Sequence, residues 1–289
     1  MALLFSVSVL TSASAQGLTP KEICKLDPHL QETSGLVITG SKIWTHNDSG
    51  NPPVLYGMNE SCRVTNILYL NAKNTDWEEI TKDEEGSIYI GDFGNGGNNR
   101  RDLRIYKIPD PATISGTIVQ PEIIQFSYAD QRRFPPLPSN QNYDMEAMIY
   151  YKGNLYLFSK NRTEPFNGYT KLYRLPARPG THVAELLDSI YLGPPPMMQS
   201  WVTAAALSPD KTKLALLSSD RIWLFTCFTD DRFFSGKMKT IELTSFTQKE
   251  AVCFKNNYEL LITDELSNKV FGGRLYSLDL RQVVFDPCP

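Results

Sequence analysis

One unit recurs along this chain, and its recurrence constrains the fold more than any single motif. Residues 75–95 read TDWEEITKDEEGSIYIGDFGN: a carboxylate (Glu78), a short apolar strand, a turn, and a second strand leaving through Asp92, Phe93 and Gly94. The same grammar follows Ser34 (to IWTHNDSG), Glu146 (to LYLFSKNR), Thr203 (to LALLSSDR) and Glu250 (to LLITDELS). An oxygen-bearing residue, one free position, an apolar residue, a turn, then an apolar strand ending in Asn, Asp or Ser is the shared pattern. A repeat of this period sets the architecture before any single residue does.

Each interval has room for four short antiparallel strands. Third strands read PVLYGM, DLRIYKI, TKLYRL, RIWLFTCF and GRLYSLDL; fourth strands read TNILYL, EIIQFSY, AELLDSIYL and MKTIEL. The long interval after Glu78 carries two polar loops, GNGGNNRRD and ADQRRFPPLPSNQN, rather than another unit. The last unit is one strand short, so KEICKL near the start or RQVVF near the end must supply it. The expectation is all-β: a single five-bladed β-propeller of four-stranded antiparallel blades, closed by a terminal strand over residues 16–289. A β-sandwich gives no reason to repeat an oxygen-bearing residue before every first strand.

Composition narrows the function classes. The 289 residues carry 29 basic and 32 acidic side chains, a net of −3, with no basic stripe for nucleic acid and no long charged tail. Residues 1–15, MALLFSVSVLTSASA, read as an export signal with an Ala13-x-Ala15 cleavage site, so the expected location is extracellular or periplasmic. No later segment approaches the ~20 apolar residues of a membrane span. Five cysteines without a C-x-x-C argue against zinc. Cys227 and Cys253 lie inside apolar strand patterns and read as buried thiols. Cys24 and Cys288, near the two mature ends, are the candidate bridge, with the pairing of Cys62 open.

First strands line the axis of a propeller, so Ser34, Glu78, Glu146, Thr203 and Glu250 are expected to converge there. Three carboxylates at close range repel unless a cation or protons intervene. All five are oxygen ligands, and no His or Cys belongs to the set, which points to calcium. Asp76 and Asp144 precede two of the glutamates, and Asn47, Asp48, Asp92, Asp220, Asp264 and Glu265 stand at strand exits. Of these, His46, Asp48 and Asp92 are the candidate general bases. Arg104, Lys160 and Arg162 are the candidate anion-binding groups at the channel mouth. No G-x-S-x-G, H-E-x-x-H, P-loop or dinucleotide fingerprint is present.

The runs ETSGL…IWTHNDSG, DWEEI…IYIGDFGN, DMEAM…LYLFSKN and KEAV resemble those of secreted bacterial propellers described as SdiA-regulated-like or esterase-like phytase-like. More distantly, the order Ser, Glu, Glu, hydroxyl, Glu is similar to the calcium ring of five-bladed calcium-activated nucleotidases (apyrases). The first unit lacks that family's arginine and one of its aspartates, and Lys160-Asn161-Arg162 corresponds loosely to its paired arginines. Two functions follow as expectations for a monomeric protein. One is a calcium-dependent hydrolase of a phosphate ester, phosphoanhydride or lactone. The other is a non-catalytic binding module for an extracellular glycan, peptide or protein, with a structural calcium.

Overall fold

The structure is a computed structural model that describes residues 17–267, 270–285 and 287–288. The segment 1–15, read above as an export signal, lies outside the described residues. The chain is all-β. In order the strands are β1 (Lys21–Lys25), β2 (Thr33–Thr39), β3 (Lys42–Asn47), β4 (Val54–Met58), β5 (Val64–Leu70), β6 (Trp77–Lys82), β7 (Ile88–Asp92), β8 (Arg104–Ile108), β9 (Ile118–Val119) and β10 (Glu122–Tyr128). They continue as β11 (Asp144–Tyr151), β12 (Asn154–Lys160), β13 (Tyr169–Pro176), β14 (Gly180–Tyr191), β15 (Ala204–Leu207), β16 (Lys213–Leu217), β17 (Arg221–Thr226), β18 (Lys237–Glu242), β19 (Lys249–Asn256), β20 (Glu259–Asp264) and β21 (Arg274–Asp279). A short α-helix, α1 (Met197–Ser200), precedes β15.

Strand pairing corrects the expected set of five separate four-stranded blades. The described strands form four sheets: β1-β21-β20-β19, β2-β3-β4-β5-β9, β15-β16-β17-β18, and an eight-stranded sheet β11-β12-β13-β14-β10-β8-β7-β6. The cause is an overhang. β14 starts at Gly180, four residues before the AELLDSIYL run, and its pairing with β13 reaches only Arg174↔Glu185. The overhanging stretch pairs in parallel with β10, from Ile124↔Gly180 to Tyr128↔Ala184, and joins two antiparallel runs into one sheet. In the β2–β5 sheet, β9 adds in parallel to β5. β1 pairs antiparallel with β21, from Lys21↔Ser277 to Lys25↔Arg274, so the last repeat takes its outer strand from the beginning of the chain. Such outer pairings leave fewer exposed edges.

The inner strands form a closed circuit: β2 packs on β6, β6 on β11, β11 on β15, β15 on β19 and β19 on β2. Apolar clusters fill the spaces between facing strands instead of one central mass. Trp77, Tyr106 and Leu55 pack in one; Phe158, Trp223 and Phe233 pack in another.

The bridges differ from the expected pair. Cys24 bonds Cys62, and Cys227 bonds Cys288. Cys24, on outer strand β1, faces the turn that ends at Cys62. Cys227 is no buried thiol, because the chain turns out of the sheet there, one residue past the end of β17, at φ +59°. Cys253 is buried and free, as its apolar context indicates.

Glu79 holds the inner circuit together. It is fully buried on β6, and its carboxylate accepts the N–H of Ile80 at 3.0 Å and, across the axis, that of Ala205 on β15 at 3.0 Å. Glu79→Ala leaves these donors unsatisfied, and the expected loss is about 3 kcal/mol or more in urea unfolding. Glu79→Gln keeps an acceptor oxygen and is expected to lose less. Equal midpoints for both variants and the parent protein would refute this role.

Candidate functional site

Each inner strand pairs antiparallel with the next, which brings the start of one beside the end of the other. Thr33↔Asn47, Trp77↔Asp92, Asp144↔Lys160 and Lys249↔Asp264 are such pairs. One step inside each pair the register slips: between Thr33 and Leu36, Trp77 and Glu79, Met145 and Ala147, and Lys249 and Ala251. Ser34, Glu78, Glu146 and Glu250 are the extra residues of these β-bulges, and a bulge re-aims the side chain it carries. The β15–β16 hairpin has a regular register from Ala204↔Leu217.

The re-aimed side chains line one cavity of about 200 Å³ with Asp48, Asp76, Asp144, Lys160, Arg162 and Glu265. Seven carboxylates thus share the cavity with two cations. Lys160 Nζ lies 3.0 Å from Glu146 Oε1, and Arg162 Nε lies 2.7 Å from Asp144 Oδ2. Trp201 covers both cations, with the Arg162 guanidinium 4.5 Å from its ring centroid. On the other side, single carboxylate oxygens of Asp48, Asp76 and Glu78 all lie within 4.8 Å of one another. These three make no ion pair with a cation among the described residues.

Local structure explains why that trio forms. Asn74 donates to the carbonyls of Asn47 (3.1 Å) and Asp48 (2.8 Å) and accepts from Trp77 N–H, fixing the β3 exit beside the β6 start. Asp92 accepts the Asp76 N–H at 3.1 Å. Arg100 holds Asp92 at 2.9 Å and the Gly94 carbonyl at 2.8 Å. A Cβ on Gly94 would overlap the carboxylates of Glu78 and Asp76, so only glycine lets this backbone lie against them.

Electrostatics follow from crowding and burial. Burial first, then the charges of Glu146 and Asp48, pushes the Glu78 carboxyl well above its usual value. Burial, with repulsion from Asp76 and Glu250, raises Asp48 to about 6. Burial, with repulsion from Glu250, Asp48 and Glu32, raises Glu265 to about 9. Burial disfavours a charged Lys160, but Glu146, Glu250, Asp144 and Glu78 outweigh it and raise its pKa.

The sequence candidates therefore separate. Ser34, Glu78, Glu146, Glu250, Asp48, Lys160 and Arg162 come together. Thr203 does not line the cavity; it lacks the bulge, and its hydroxyl donates to the Lys249 carbonyl at 2.6 Å. The Ser34 hydroxyl donates to the Glu78 carbonyl at 2.9 Å. His46 is fully buried edge-on to Trp77, 5.5 Å between centroids, and burial lowers its pKa to about 4, so it is neutral and away from the cavity. Asp92 is a backbone anchor held by Arg100. Arg104 pairs with Asp102 at 2.9 Å outside the cavity. The reading of Glu78 as the repeat's acidic residue passed over its neighbour Glu79; two successive glutamates before an apolar strand are the signal that both are buried.

No protein-family model matches the chain, and no curated protein does. Among solved structures, the chain is similar to the PQQ-bound form of an aldose sugar dehydrogenase (Adh) from Streptomyces coelicolor. The TM-score is 0.54 at 10% identity, over 93% of this chain and 99% of that one. The fold is β-propeller-like. No helix among the described residues is long and apolar enough to cross a membrane.

The raised carboxyls have a consequence for stability. A carboxyl whose pKa is higher in the folded state than in the unfolded chain stabilises the fold at low pH, and that contribution is lost as pH rises through its folded value. With Asp48 at about 6 and Glu265 at about 9, the melting temperature in chelator is expected to fall steadily from pH 5 to pH 9. A flat profile over that window would show that the carboxylates are not crowded as described.

Proposed function

We propose that this protein is an exported calcium-binding protein of β-propeller-like fold, with the ion held in the axial cavity by Asp48, Asp76 and Glu78. The observation that carries the reading is the convergence of their oxygens within 4.8 Å with no paired cation, while Asp144 and Glu146 on the facing side have Arg162 and Lys160. All the donors are hard oxygens, and the glycine cradle at Gly94 leaves room for them, which suits calcium. Glu146, expected in the ring, spends its charge on Lys160, so the ion belongs to the opposite side of the cavity. The two disulfides suit an oxidising compartment and support export.

The fold neighbour's quinone is not carried over: PQQ is itself a polycarboxylate, and seven carboxylates would repel it. Between the two functions expected from sequence, the geometry favours the binding module. Hydrolysis needs a base at the reacting oxygen, and of His46, Asp48 and Asp92 only Asp48 lines the cavity. A bound ion would supply Lewis-acid polarisation of a ligand oxygen, and Arg162, its side chain 29% exposed, stands at the same cavity. That observation keeps hydrolysis as the second reading.

Calorimetric titration of chelator-stripped protein with calcium is expected to show one site and a rise in melting temperature with ion concentration. Asp76→Asn, which removes one charged ligand, is expected to weaken binding roughly tenfold or more. No heat and no stabilisation would refute the site. A panel of nucleotides, phosphate esters and lactones, assayed with calcium and with chelator, separates the two readings. Turnover abolished by chelator would replace the binding module with the hydrolase.

A further inference from the structure

The acidic cavity has an apolar neighbour. Gln248 and Glu265 line it and also line an adjoining groove of about 270 Å³ whose other walls include Met198, Phe246 and Phe271. Those three apolar side chains are 51%, 55% and 70% exposed. Apolar side chains left open together mark a binding surface more often than a bare one. With the cavity, the groove falls within the ~300–1,000 Å³ range of small-molecule sites.

A second observation stands on the cavity side of the shared wall. Glu250 is only 8% exposed, and its Oε2 has no hydrogen-bond partner among the described residues. Lys160 and Arg162 are the cations near it, and each is paired with another carboxylate, Glu146 and Asp144, in a cavity of seven carboxylates. Glu265 faces Glu250, Asp48 and Glu32, whereas the cavity's cations are engaged by Asp144 and Glu146.

A buried carboxylate oxygen without a donor is costly, so a ligand that satisfies it must donate a hydrogen bond. An ammonium group donates and brings the opposite charge. The faces of Phe246 and Phe271 attract a cation as well as an apolar body. A carboxylate or phosphate head would be repelled here, and a neutral amphiphile would leave the charge unpaired.

We propose that the groove and the Glu250–Glu265 edge form a binding site for a small amphiphilic ammonium compound: a primary amine carrying one aromatic or short alkyl body. The site uses different carboxylates from the calcium trio and does not depend on that reading.

Calorimetric titration of the full chain in chelator, at neutral pH, tests it with 2-phenylethylamine against 2-phenylethanol and ethylamine. The amine with the ring is expected to bind one to one, roughly tenfold or more tighter than either comparator. Phe246→Ala is expected to reduce it to the level of ethylamine, and Glu250→Gln to the level of 2-phenylethanol, with unchanged circular dichroism. Should Glu250→Gln fail to fold, Glu265→Lys, which puts a positive charge at the half-buried edge, is expected to abolish binding of the amine. Equal binding of 2-phenylethanol, an unaltered affinity in Phe246→Ala, or no heat from 2-phenylethylamine at millimolar concentration would overturn the proposal. Because chelator is present throughout, a failure here is separate from a failure of calcium to bind.

Discussion

The site depends on a β-bulge placed at the same point of four inner strands. In a regular strand, successive side chains leave on opposite faces, and an inner strand would then send alternate residues into the two flanking apolar layers. The slip at Glu78 breaks that alternation. It lets Glu78 turn into the cavity while the next residue, Glu79, runs through the interior to the N–H of Ala205. The slips at Ser34, Glu146 and Glu250 do the same for their side chains, and the one hairpin without a slip leaves Thr203 outside. The chemistry of the cavity is a product of register, which side-chain identity alone does not determine.

Charge then decides how the cavity is used. Two carboxylates about 4 Å apart repel by about 4 kcal/mol at the effective dielectric of a protein surface, and seven line a space of about 200 Å³. The chain relieves only one side of this. Lys160 and Arg162 arrive from the end of β12 and the residues after it, and Trp201 holds both in place. The side built from the β3 exit and the β6 start has no such partner. The asymmetry gives the axial cavity a half whose carboxylates are paired and a half whose carboxylates are not.

Much of this was legible in the sequence, and the failures have physical causes. The repeat exposed the inner strands and the ring glutamates because both recur at fixed places in the pattern. Sheet membership was not legible. The overhang of β14 that joins β10 depends on where Gly180 lets a strand begin, and an apolar run cannot show that. His46 was misjudged because a strand exit beside carboxylates looks open in sequence, whereas Trp77 and the close approach of Gly35 bury it. Cys227 followed the strand pattern on paper but sits one residue past its end.

The sign of the ligand's charge is what the geometry constrains most. The resemblance to calcium-activated nucleotidases raises the expectation of an anionic ligand held by cations. Here the two cavity cations are already engaged by Asp144 and Glu146, and the arginine that the family's first unit carries is absent. An anion could therefore be held only through a metal ion on Asp48, Asp76 and Glu78. A cation needs no such intermediary, since unpaired carboxylates line the cavity and Glu265 joins it to the groove that Phe246 and Phe271 line. The slip that turns Glu78 into the cavity recurs at Glu250, whose buried carboxylate is left there with one oxygen lacking a donor among the described residues.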